Sequence, residues 1–354
     1  MESSENTSFD IDNKQEAGVL LEDEPKKADF EDLDSISYPL LMHRIEKEIF
    51  SMREKRGNDD KDYRAKISSQ KEEFLEKLTD ENRIHLTNIL FGTEDLILRD
   101  KTSDRNEDGK KKIENIIEDV KLQQEMAYFI TNNENNLNLL EDYWDLHDEL
   151  FKINGEKTAD GEKLKHGVLA PIALKNIFDN KYNKSGEKNR LDFTYSTPED
   201  DAIKSIDTIA VDNKNKINML IQVKGDAMSW KEFDRRVKPK IKSNGNGSGS
   251  GEHDDEENAE LIYILNEKDF ADKDTSIKNE NGKLGRLNSG CAAYMKEHGE
   301  ILKENGFKTF GIYMYVPSVI DGQSMIDING QPDKKLNDFI SKFMDLKLPD
   351  IAKK

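Results

Sequence analysis

SIDTIAVDNKNKINMLIQVKGDAMSW, residues 205–230, holds two apolar runs on either side of a short polar turn. Ile206 to Val211 and Ile217 to Val223 are rich in β-branched and aliphatic residues, and Asp212-Asn213-Lys214-Asn215-Lys216 between them has turn chemistry and no apolar member. The pattern predicts a β-hairpin. With Asn213 to Lys216 as the loop, paired residue numbers sum to 429, which sets Asp207 opposite Gln222. Opposed residues have Cβ atoms roughly 4.5–5.5 Å apart, and residues two apart on a strand share a face. Asp207, Gln222, Lys224 and Asp226 are therefore expected to converge on one patch. A slip of one residue would send Asp207 to the other face, so the expectation stands on this register.

Such a patch has a definite chemistry. A carboxylate and a side-chain carbonyl are hard oxygen donors suited to Mg²⁺, which keeps several waters and commonly binds through one or two carboxylates plus a substrate phosphate. A neighbouring lysine can stabilise a charged transition state or orient the attacking water, while the metal polarises a phosphoryl oxygen and acidifies its water. These are the parts of a phosphodiester hydrolase.

An acid on one strand, a turn, and an apolar strand ending in (D/E/Q)-x-K resemble the PD-(D/E)xK nuclease superfamily, with Asp207 and Gln222-Val223-Lys224 at the matching positions. The resemblance covers roughly Lys163 to Val316. It implies an α/β fold with a restriction-endonuclease-like mixed sheet flanked by helices, here preceded by a helical N-terminal region. It also implies a divalent-metal-dependent nuclease using Mg²⁺ or Mn²⁺. The family places a helix before the hairpin, for which Gly161 to Tyr182 is the counterpart, and another after the lysine strand, for which Ser229 to Ile241 stands. Apolar strands are expected at Glu260 to Leu265 and Thr309 to Val316. Two positions depart from the family pattern. The first family helix often bears a glutamate ligand, but Val168 to Phe178 has no acid, leaving Glu162 as the nearest candidate. Glutamine replaces the commoner acid at position 222. The implied ligand set is thus Asp207, Gln222, Asp226 and Glu162, with Lys224 as the charge-stabilising or base-side residue.

Charge is distributed unevenly. The 354 residues include 54 basic and 73 acidic side chains, a formal charge of -19, which by itself disfavours a polyanionic ligand. Gly161 to Lys242, however, carries 17 Lys plus Arg against 12 Asp plus Glu. Within it Lys231, Arg235, Arg236, Lys238, Lys240 and Lys242 follow closely on the lysine strand. A basic helix there would hold a phosphate backbone, with Trp230 available to stack on an unpaired base. The expected partner is nucleic acid, DNA ahead of RNA. A solvated helix face is the competing reading of the same residues.

Residues 1–37 hold 12 acids and 3 lysines and read as an acidic disordered tail. Ser243 to Asn258 is a Gly/Ser/Asn tract running into acids, expected to be a flexible loop. Between tail and nuclease-like region (161–350), residues 38–154 read as a helical domain. Leu40, Leu41, Ile45 and Ile49 recur at helical spacing, as do Ile84, Leu86, Ile89 and Leu90, then Leu137, Leu140, Trp144 and Leu150. That half has no chemistry of its own in the sequence, and serves as a possible surface for a protein partner, as does the acidic tail.

Other classes are excluded by what is missing. There is no G-x-x-x-x-G-K-[ST] loop, no G-x-G-x-x-G after a strand, no H-E-x-x-H and no G-x-S-x-G. Cys291 is the sole cysteine, so neither an internal disulfide nor a cysteine-rich zinc site can form, and a buried small residue is its expected role. The start of the chain has no secretory signal pattern. No stretch approaches the roughly 18 consecutive apolar residues of a membrane span, so an intracellular protein is expected. Two alternatives to the nuclease remain open: a degenerate nuclease fold that binds nucleic acid without cutting, and a protein-interaction module.

Overall fold

The hairpin forms because Asp212 builds its turn. In the computed structural model, Asp212 Oδ1 accepts from the backbone N–H groups of Lys214 (3.0 Å) and Asn215 (2.9 Å), and Oδ2 accepts from Asn215 Nδ2 (2.8 Å). Lys216 closes the loop with a left-handed backbone, φ 56°. The structure describes residues 32–56, 60–101, 113–153, 156–157, 159–183, 191–225, 227–229, 262–270 and 283–342. Strands β4 (Thr208–Asp212) and β5 (Ile217–Lys224) pair antiparallel in the expected register, with Asp212 opposite Ile217 and Thr208 opposite Ile221. One residue beyond the ladder, the Asp207 N–H donates to Ile221 O at 2.9 Å, which carries the pairing on to Asp207 and Gln222.

Around this hairpin lies a five-stranded mixed sheet. Strand β3 (Leu191–Tyr195) pairs antiparallel with β4, and strand β8 (Lys308–Tyr315) pairs parallel with β5 over its full length. Strand β7 (Ile262–Asn266) lies antiparallel on β8, giving the order β3-β4-β5-β8-β7. β5 and β8 are buried along nearly their whole length, which is why both read as continuous apolar runs without alternation. Two short strands, β1 (Lys152–Ile153) and β2 (Glu156–Lys157), form a separate pair. β6 (Ala227–Met228) runs parallel to β9 (Val319–Ile320), which turns back into β10 (Gln323–Ser324). The fold is α/β, with mixed sheets flanked by helices.

Helix α6 (Ala159–Phe178) precedes the sheet and realises the helix expected over Gly161 to Tyr182, ending in a wider turn at Asp179–Asn183. Helix α8 (Lys283–Glu304) leads into β8. The helix expected over Ser229 to Ile241 falls, apart from Ser229, outside the described residues, as do the acidic loop at 243–258 and residues 1–31 of the tail expected over 1–37; residues 32–37 belong to the fold instead, with Leu33 fully buried and Asp34 Oδ2 accepting from Thr79 N at 2.7 Å. One helix was not anticipated. Between β3 and β4 the chain forms α7 (Pro198–Lys204), whose cap Thr197 Oγ1 accepts from Asp200 N at 3.1 Å and whose end is set by Ser205 at φ 54°.

The helical half comprises α1 (Tyr38–Glu54), α2 (Asp60–Leu75), α3 (Glu81–Lys101), α4 (Ile113–Asn132) and α5 (Leu137–Leu150). α3 buries residues from several sides, among them Leu86, Ile89, Phe91, Leu96 and Leu98, and is the central helix. Its buried Glu94 is fully engaged, accepting from Arg53 Nε at 2.9 Å and from Tyr63 OH at 2.7 Å. Leu40 and Leu137, read as core-facing from their spacing, are instead exposed. Asp32–Lys354 form one compact unit, so the change of character expected near Asn154 to Gly161 is a change of secondary structure within a shared core. Trp144 Nε1 donating to Ile328 O at 3.0 Å is one direct tie across it.

Candidate functional site

Sheet, α7, α6 and α4 enclose a cleft of about 500 Å³, and the polar residues of the hairpin open into it. Its floor is Asp207, Gln222, Val223, Lys224 and Gly225. Asp207 Oδ2 accepts from the backbone N–H of Val223 at 2.7 Å, which fixes the carboxylate alongside β5 between Gln222 and Lys224. Ser196 holds the preceding turn, its N–H donating to Asp207 O at 3.2 Å and its hydroxyl to Ile206 O. The sequence-derived triad of Asp207, Gln222 and Lys224 is therefore brought together.

A second acid comes from an element the sequence reading did not contain. Asp201 on α7 lines the same cleft, its carboxyl within hydrogen-bonding reach of that of Asp207. Burial pushes the Asp201 carboxyl up to about 8, helped by the negative charge of Asp207 and opposed by Lys224. Asp207 is also raised, by burial first, with Lys224 and the Val223 N–H pulling the other way. The two carboxyls thus share a proton, as like charges placed together in a low-dielectric cleft must. A signal for α7 was present in Thr197-Pro198-Glu199-Asp200-Asp201, a cap residue, a proline at the first helical position and acids in the first turn.

Glu162 does not take the helix-glutamate role. It is exposed on α6, 3.7 Å from His166 Nε2, and does not line the cleft. The α6 residues that do are Lys163, Gly167, Val168 and Pro171, and Glu162 lies about 100° round the helix from Lys163. Asp226, Trp230, Lys231, Arg235, Arg236, Lys238 and Lys240 lie outside the described residues.

Gln222 is 5% exposed, and its Oε1 has no hydrogen-bond partner among the described residues. An unpaired buried carbonyl beside two carboxyls is a set of hard oxygen donors, which fits Mg²⁺ or Mn²⁺. The set is small: among the described residues no cluster of three or more His, Cys, Asp or Glu side chains is placed to hold a metal. Lys163, Lys224 and Arg286 add positive charge to the cleft.

Gly225 is required by the crossing of α6 over the end of β5. A Cβ there would lie 2.3 Å from His166 O and 2.8 Å from Ala170 Cβ. More of the lining comes from α4, a helix of the half that offered no chemistry in the sequence, through Ile116, Val120, Gln123, Gln124 and Ala127 on one face. Gln124 Nε2 donates to Ser196 O at 3.0 Å and so ties α4 to the turn that supports Asp207. Cys291 is buried in a small cluster with Leu287 and Tyr313, its thiol pushed up to about 12 by burial, in keeping with a packing role. None of the described helices is long and apolar enough to cross a membrane. No family model, no curated protein and no solved structure matches the chain.

Proposed function

We propose that this protein is a divalent-metal-dependent nuclease that hydrolyses phosphodiester bonds, on a sheet of the restriction-endonuclease-like kind, with DNA ahead of RNA as substrate. The observation that carries the reading is the meeting of Asp207, Asp201, Gln222 and Lys224 in one cleft. The order of elements supports it as well: a helix, a hairpin, and then a strand parallel to the lysine strand.

Asp207 and Asp201 would hold Mg²⁺ or Mn²⁺, with Gln222 Oε1 as a neutral third donor. The bound cation would supply Lewis-acid polarisation of the phosphoryl group and a more acidic water. Cation binding requires Asp201 to release its proton, so affinity rises with pH toward about 8. Lys224, two residues from Gln222 and close enough to Asp207 and Asp201 to favour their charged forms, stabilises the charge that develops on the phosphoryl oxygens or orients the attacking water. Lys163 and Arg286 attract the phosphate chain.

The test is incubation of the purified chain with labelled DNA and RNA in Mg²⁺, Mn²⁺ or EDTA, alongside Asp207→Ala and Lys224→Ala. Cleavage is expected to disappear in EDTA and with Asp207→Ala, and to fall by about 10²–10³ with Lys224→Ala, the usual loss on removing one electrostatic stabiliser. Undiminished cleavage by both variants overturns the assignment. Gln222 in place of an acid favours a second reading, a degenerate fold that binds nucleic acid without cutting it. Salt-sensitive binding with no product would select that one.

A further inference from the structure

α7 has seven residues, too few to hold a helix by their own propensity, so its place is set by what grips its two ends. Thr197 caps the first turn. The last turn is held through Lys204, whose side chain is only 9% exposed and whose Nζ lies 2.8 Å from Asp200 Oδ1 and 2.5 Å from Glu297 Oε2 on α8. The same ammonium stands 5.9 Å from the centre of the Tyr294 ring, also on α8. A buried ammonium is retained only where carboxylates answer it, and here one belongs to α7 itself and the other to its neighbour. Lys204 thus joins two elements, and it does not line the cleft.

We infer that Lys204 is a positioning residue, which by tying α7 to α8 sets where Asp201 stands against Asp207; its bearing on a bound cation rests on the nuclease reading. Asp201 belongs to the turn that Lys204 closes, its carbonyl accepting from Ser205 N at 2.9 Å, so a shift of that turn moves both residues together. The action is mechanical. The charges that Asp201 feels most are those of Asp207 and Lys224, and Lys204 is not among them. Two carboxyls that are to hold one ion must keep a narrow range of separation, and groups that hold metal ligands in place are typically worth about 10–100-fold in affinity.

The experiment titrates Mn²⁺ into the full chain, following the loss of the free-ion EPR signal, for the parent, Lys204→Met, Lys204→Arg, Asp201→Asn and the double variant Lys204→Met/Asp201→Asn. Lys204→Met keeps the buried stem and removes the charge. It is expected to raise Kd by about 10–100-fold, and Lys204→Arg to restore most of the affinity. In the Asp201→Asn background the same change is expected to alter Kd by less than about twofold, because the ligand it positions is gone. An equal loss in both backgrounds marks a general structural defect and overturns the inference, as does an unchanged Kd in Lys204→Met. If the parent chain binds no Mn²⁺, the nuclease reading falls, and the seating of α7 is read by hydrogen exchange instead. Faster exchange of the Asp201 and Ser205 amides in Lys204→Met, with parent-like exchange in Lys204→Arg, keeps the inference, while unchanged exchange in Lys204→Met overturns it.

Discussion

Asp201 and Asp207 show how two carboxyls placed in one buried cleft cost stability. In the unfolded chain an aspartate releases its proton near its ordinary value of 3.8, but in the fold Asp201 keeps it up to about 8. The folded state therefore binds more protons between about pH 4 and 8, and stability must fall as pH rises through that window. Asp201→Asn removes this liability. Without metal at pH 8 to 9 it is expected to unfold later than the parent protein by about 0.5–2 kcal/mol, the usual gain when a functional strain is relieved, and to match it below pH 4. Urea unfolding at several pH values checks this, and an Asn variant that is no more stable at pH 9 would contradict the shared proton. Cation binding gives a second check at the same residues. Excess Mn²⁺ should raise the Tm of the parent protein, by the equivalent of about 2.7 kcal/mol at a hundred times Kd, and leave that of Asp207→Asn unchanged. A shift retained in the variant would place the cation elsewhere.

At the scale of elements, the hairpin was legible in the sequence because everything that fixes it is local. Asp212 caps its own turn, the loop length sets the register, and the register places Asp207 across from Gln222. Strands β7 and β8 were legible from their apolar runs, and α6 was expected from the order of elements that the family resemblance implies. What escaped was set by long-range packing. Nothing in the spacing of Ile116, Val120 and Ala127 says that α4 faces a cleft instead of a core, because both surroundings ask for the same small and apolar side chains. Glu162 was chosen for being the acid nearest the expected helix position, and the helical turn carries it away from the site. Asp201 was missed because α7 has only seven residues, too few to show a period. The seating of α7 gives a prediction at this scale. Gly290 on α8 lies against the end of α7, where an added Cβ would fall 1.7 Å from Lys204 O. Gly290→Ala should push α7 aside, with a loss of about 1–3 kcal/mol and weakened cation binding, since Asp201 moves with the helix. Calorimetry with and without Mn²⁺ measures both, and a variant with unaltered Tm and unaltered cation response would refute the coupling.

For the whole molecule, acid and alkali act through different groups. His147 is buried among Tyr143, Trp144 and Phe151, and burial lowers its pKa against the pull of Asp148 and Glu162. The unfolded chain takes up that proton near 6.5 while the fold resists it, so stability must fall as pH drops below about 6.5. Asp201 acts in the opposite sense from about pH 4 to 8, so the two offset each other below about pH 6.5 and metal-free stability declines above it. In His147→Leu the acid limb of a Tm profile should flatten while the alkaline limb stays, and an unaltered acid limb would exclude His147 as its cause. The parallel pairing of β5 with β8 has a consequence in time. Ile217 and its partner Lys308 are far apart along the chain, and such a ladder must first close a long loop. On the ribosome, Asp201, Asp207, Gln222 and Lys224 all emerge well before the strand that locks β5 in place. The nascent chain therefore carries all four of these side chains before it has made the strand that completes their sheet, so the cleft is assembled only near the end of synthesis.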